Sequence, residues 1–108
     1  MTTANYERNY FFEAHQLLKG RGYRPYIQNL LPGGQWQGHE WVVKNPTRND
    51  KTAGSFLING NTGRWKDFAI DKGGNDLIGL TAYIKGLSLI EACFYIGVAR
   101  PTERGANV

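Results

Sequence analysis

Asn45-Pro-Thr-Arg-Asn-Asp-Lys-Thr-Ala-Gly-Ser-Phe56, Gly63-Arg-Trp-Lys-Asp-Phe68 and Lys72-Gly-Gly-Asn-Asp-Leu-Ile78 are the stretches that decide the fold. The first is basic and rich in turn formers, and it leads into Ser55 to Asn59, an apolar run read as a strand. Asn59-Gly60-Asn61-Thr62-Gly63 supplies residues that tolerate positive φ, so a hairpin follows. Arg64 to Ala69 returns as the next strand. The Gly73-Gly74 step opens a helix, with Asn75 as its N-cap. Asp76 then falls in the first turn, where the helix dipole favours negative charge.

Upstream, Glu40-Trp41-Val42-Val43-Lys44 is a β-branched and aromatic run ended by Asn45-Pro46, and it predicts a further strand. Tyr6, Tyr10, Phe11, Ala14, Leu17 and Leu18 recur at helical spacing, which predicts a helix over 4–20, stopped by Gly20 and Gly22. Residues 23–38 hold Pro25, Pro32, Gly33, Gly34 and Gly38 and read as connecting structure. Within it, Tyr26-Ile27 and Leu30-Leu31 are short strand or helical-turn pieces packed on the first helix. Downstream, Leu77, Ile78, Leu80, Thr81 and Ile84 form the apolar face of a helix ending near Gly86. Ser88 with Glu91 forms a capping box for a last helix, whose buried positions are Leu89, Ile90, Ala92, Cys93, Tyr95 and Ile96.

The expected class is therefore α+β: an N-terminal helix, a small antiparallel sheet of about three strands, and two C-terminal helices. Residues 1–99 form one domain, and residues 100–108, with Pro101 and Gly105, read as a linker-like tail. A chain of 108 residues supports one modest core, and 41% apolar residues with five Phe, six Tyr and three Trp argue against disorder. Thirteen basic against nine acidic residues give +4, a mild bias toward polyanions. One cysteine, Cys93, and two histidines, His15 and His39, exclude an internal disulfide and any multi-cysteine zinc site. No apolar run reaches the length of a membrane span and no signal-peptide core follows Met1, so a cytoplasmic protein that avoids the membrane is expected.

The order and spacing of these segments resemble the zinc-ribbon domain at the N-terminus of bacterial and phage DNA primases, over roughly residues 39–97. That family carries Cys-Pro-x-His, a Lys-Thr-Pro-Ser-Phe run, Cys-x-x-Cys, a glycine step and a helix. Here Pro46, Lys51-Thr52, Ser55-Phe56 and Gly73-Gly74-Asn75 match, with Ala53-Gly54 replacing the single proline. Gly86-Leu-Ser-Leu-Ile-Glu-Ala92 is similar to the family's Gly-Leu-Ser-Phe-x-Glu-Ala segment. All four ligand positions have changed. Asn45 stands at the first cysteine, Arg48 at the histidine, and Asp67 and Ile70 at the Cys-x-x-Cys pair. The resemblance thus implies a metal-free form without a cofactor. An Arg48–Asp67 bond could tie the loops that zinc would have joined, with Asn45 satisfying nearby backbone and Ile70 extending the core. The alternative leaves Arg48 in solvent and Asp67 capping a turn.

The resemblance implies a DNA-binding N-terminal module of a phage or mobile-element primase or primase-helicase, acting in primer initiation. Catalysis would lie in a separate polymerase or helicase domain after Val108. Single-stranded DNA is the favoured partner, with a polymerase or helicase domain, in cis or trans, as another. Lys44, Arg48, Lys51, Arg64, Trp65 and Lys66 are the candidate contacts, the densest basic and aromatic cluster in the chain. Trp41, Phe56 and Phe68 read as core. Alternation puts Trp65 and Asp67 on one face and Lys66 and Phe68 on the other. Exposure of Trp65 as the stacking ring is the reading adopted; if its face meets the helices, Lys66 points outward instead. A metal-free adaptor docking on a helicase or polymerase is the second reading. A small enzyme using Asp67, Asp71 and Asp76 to hold Mg²⁺ is a third, though acids beside a helix start usually serve caps and turns.

Overall fold

The computed structural model describes residues 8–49 and 51–101. The N-terminal end of the expected first helix, with Tyr6, and tail residues 102–108 lie outside this set. Among the described residues, four helices and one five-stranded antiparallel sheet make an α+β fold. They run α1 (Tyr10–Arg21), α2 (Tyr23–Leu30), β1 (Gln35–Gln37), β2 (Glu40–Val43), β3 (Phe56–Asn59), β4 (Trp65–Asp67), β5 (Lys72–Gly74), α3 (Leu77–Lys85) and α4 (Leu89–Ile96). The strands lie side by side in chain order, every neighbouring pair antiparallel.

Local chemistry explains the ends of the elements. Asn9 caps α1 by accepting the Phe12 amide, and Gly22, at φ +95°, breaks the chain before α2. α2 runs through the stretch expected to be connecting. Pro25 is tolerated there because it sits in the first turn, where an amide has no helical acceptor. Asp76, rather than Asn75, caps α3, its side chain accepting the Gly79 amide at 2.8 Å. Ser88 and Glu91 form the reciprocal capping box of α4. At the β3–β4 turn, Asn59 Oδ1 accepts the amides of Asn61 and Thr62.

Two strands exceed the expected three. β1 and β5 are three-residue edge strands at opposite margins of the sheet. The Gly73-Gly74 step is part of β5, and close packing explains its composition. A Cβ on Gly73 would lie 2.7 Å from the Trp65 carbonyl oxygen, and one on Gly74 2.8 Å from the Trp65 indole.

Register gives the sheet two unlike faces. Trp41, Val43, Phe56, Ile58, Trp65 and Asp67 form the inner face, continuous with a core supplied by Ala14, Leu18, Leu77, Leu80, Ala92, Cys93 and Ile96 from the helices. Trp65 is therefore buried (6% exposed), contrary to the expected exposure, because Asp67 and Trp65 share the face that the helices cover. Phe68 shows the converse correction. It stands 64% exposed on the uncovered face rather than in the core. Ile70, 47% exposed in the turn before β5, extends no core. Leu89, Ile90 and Tyr95 are exposed because α4 buries only the stripe Ala92, Cys93 and Ile96; Phe11 on α1 is exposed for the same reason. No single helix among the described residues is long and apolar enough to cross a membrane.

The Trp65 indole is held from two sides. It stacks on Tyr83 of α3 with ring centroids 5.2 Å apart, and its Nε1 donates to the Asp76 carbonyl at 3.0 Å. A methyl group at residue 74 must displace that fixed ring. Gly74→Ala is therefore expected to cost about 1–3 kcal/mol, read as a lower urea midpoint with unchanged slope.

Candidate functional site

Asn45, Arg48 and Asp67, which sequence separates by up to 22 residues, converge beneath the β3–β4 end of the sheet. Asn45 follows β2, Arg48 lies in the loop before β3, and Asp67 ends β4 on the inner face. Arg48 grips the carboxylate with one edge of its guanidinium: Nε donates to Oδ2 at 2.9 Å and Nη2 to Oδ1 at 3.1 Å. Nη2 also donates to Ser55 Oγ at 3.0 Å. Asn45 Nδ2 donates to Asp67 Oδ2 at 2.8 Å, and the Ala69 amide to Oδ1 at 3.0 Å. Asp67 and Asn45 are both buried, and the carboxylate is met by one cation, Arg48, and two neutral N–H donors, from Asn45 and Ala69.

Asn45 carries the cluster to the helices. Nδ2 donates to Tyr83 Oη at 3.0 Å, while Oδ1 accepts the Thr47 amide and the Thr47 hydroxyl. With its proton committed to Asn45, Thr47 must accept the 2.8 Å bond from Tyr83. Tyr83 is the ring stacked on Trp65, so one network joins the long loop, β4 and α3. Ile70 contributes no side chain to it; its amide closes a turn on the Asp67 carbonyl at 3.4 Å.

Burial by itself raises the Asp67 carboxyl, but hydrogen bonds from Arg48, Asn45, the Ala69 amide and Ser55 outweigh it and hold the group at about 2. Cys93 is buried in the core, and burial pushes its thiol up, away from reactivity. Asp67, Asp71 and Asp76 do not come together: Asp67 binds Arg48, Asp71 binds Lys66, and Asp76 caps α3. Among the described residues no three His, Cys, Asp or Glu side chains gather where they could hold a metal ion.

The other face of the sheet presents an open groove of about 960 Å³. Leu57, Arg64, Lys66, Phe68, Gly73 and Gly74 are among the residues that line it. Glu40 and Asp71 add negative charge, Glu40 accepting from Asn59 and Asp71 from Lys66 at 2.6 Å. Lys66 also lies over the Phe68 ring, 5.7 Å from its centroid. Of the six candidate contacts, Arg64 and Lys66 lie in the groove, and Trp65 lines it while its ring is buried on the other side. Lys44, after β2, and Lys51, in the long loop, are exposed outside the groove lining, and Arg48 belongs to the buried cluster. Phe68 is the aromatic that sequence reasoning placed in the core. The signal was present, because alternation groups it with Lys66.

No protein-family model, curated protein or solved structure matches the chain. The fold and the groove define a small α+β domain whose outer sheet face carries two cations, two acids and one exposed aromatic ring, its loops joined by hydrogen bonds.

Removing Arg48 leaves a buried carboxylate without its cation, so Arg48→Met should cost about 3 kcal/mol near neutral pH. The folded-state pKa of Asp67 lies below the ordinary 3.8, so its contribution is present above that value and lost as pH falls through about 2. That contribution is on the order of 2 kcal/mol, and the gap between wild type and Arg48→Met should narrow on acidification. Urea denaturation across the acid range checks this; a gap that stays constant down to pH ~2 contradicts it.

Proposed function

We propose that this domain binds single-stranded DNA across the outer face of its sheet. It would serve as the N-terminal module of a primase or primase-helicase of a phage or mobile element, working in the cytoplasm at primer initiation. The observation that carries the reading is the placement of Arg64, Lys66 and Phe68 along one uncovered groove. Arg64 and Phe68 flank the β4 residue Lys66 by two positions on either side, and all three line the same face. Two cations can follow phosphates while the Phe68 face takes a base, and stacking of this kind is worth about 1–3 kcal/mol per base. Ring faces and phosphates are shared by all nucleotides, so weak sequence preference is expected. The resemblance to primase zinc ribbons supports the same role, with the Asn45–Arg48–Asp67 network standing where metal ligands would be.

A second reading, an adaptor docking on a helicase or polymerase, is favoured by the exposed Leu89, Ile90 and Tyr95 of α4. Salt separates the two, because phosphate binding weakens steeply with ionic strength and apolar docking does not.

Fluorescence anisotropy with a labelled single-stranded oligonucleotide tests the proposal. Arg64→Ala/Lys66→Ala should weaken binding and flatten the plot of log K against log salt by about 1.4, roughly 0.7 for each lost phosphate contact. Absence of binding by the wild type at low salt would overturn the DNA reading and leave the adaptor.

A further inference from the structure

The central cation of the groove is already occupied. Lys66 Nζ lies 2.6 Å from Asp71 Oδ1. In its row across the sheet Lys66 is flanked by Leu57 and Gly73, neither of which offers a polar side chain. The other groove acid, Glu40, accepts from Asn59 and pairs in register with that residue rather than with the row of Lys66. Asp71, its side chain 88% exposed, is thus the groove acid that pairs with Lys66, where a phosphate oxygen would approach.

The backbone at Asp71 is left-handed. Its φ of +53° makes it the only non-glycine among the described residues in the left-handed region. Gly, Asn and Asp all tolerate that conformation. The turn between Phe68 and β5 therefore requires one of these residue types, and the backbone conformation alone does not select the charged one. What aspartate adds over asparagine is a negative charge within reach of Lys66.

We infer that Asp71 is a built-in competitor for the phosphate site, a latch that occupies Lys66 in the free protein and must release it when a nucleic-acid strand binds. The inference rests on the groove being the binding face. Its consequence is selectivity: an isolated phosphate competes poorly with a tethered carboxylate, whereas a strand also gains Arg64 and the Phe68 ring. The latch thereby favours extended strands over mononucleotides and free phosphate.

The test is a double-mutant cycle on the full chain, with a labelled oligo-dT as probe and anisotropy as readout. Asp71→Asn keeps the left-handed backbone and removes the charge, and equal thermal midpoints verify that the variant folds. It should tighten binding about two- to five-fold, the size expected for an exposed ion pair. In a Lys66→Ala background, where nothing remains to release, the gain from Asp71→Asn should be smaller. Equal gains in both backgrounds would reduce Asp71 to a general charge effect and overturn the latch, as would no gain in either. Failure of the wild type and both variants to bind at low salt would instead overturn the groove as the binding face, and the latch with it.

Discussion

Asp67 is a carboxylate with no solvent exposure on the covered face of a small sheet, and the rest of the structure is arranged around keeping it charged. A buried anion without matched donors costs far more than a small domain can tolerate. Arg48 and Asn45 supply those donors from a loop that would otherwise have little reason to return to the sheet. Through Asn45 the bonds reach Tyr83, and through Tyr83 the stacked indole of Trp65. Sheet, loop and α3 are thereby fixed to one another by a few side chains. The cost of burying one charge is offset by the hydrogen bonds it receives, and those bonds tie three segments together. With the inner face committed in this way, the outer face is what remains for a ligand.

A metal ion joining two loops makes folding depend on ligand deprotonation and on metal supply. The Asn45–Arg48–Asp67 network depends only on its own chain, and its weak point is acid, where the carboxylate protonates. Asn45, Arg48 and Asp67 meet in space, while Ile70 shapes the turn with its backbone and its side chain faces solvent.

The class of fold was legible because β2, β3 and β4 carry β-branched and aromatic runs and because the caps of the last two helices are written in short polar motifs. The edge strands were not. Gln35-Trp36-Gln37 and Lys72-Gly73-Gly74 owe their extended form to ladder bonds with a neighbour and show no apolar alternation of their own. α2 was masked by Pro25, a residue that breaks helices in their interior but not in their first turn. The facing of β4 was the most consequential point. Alternation linked Trp65 to Asp67 correctly, but a charged residue on a strand ordinarily marks the wet face, so the pair looked exposed. Only the partnership with Arg48 makes a buried aspartate acceptable, and that partnership is a tertiary fact. Once Asp67 is inside, Phe68 must be outside. The stacking ring of the candidate site thus moves from Trp65 to Phe68.

The most direct test of which face binds is an amide chemical-shift titration of the isotopically labelled chain with a short single-stranded oligonucleotide. The account predicts shifts concentrated at Leu57, Arg64, Lys66, Phe68 and Gly73, with α4 unaffected. Shifts confined to the exposed residues of α4, Leu89, Ile90 and Tyr95, would contradict it and move the interface to the helical side of the molecule.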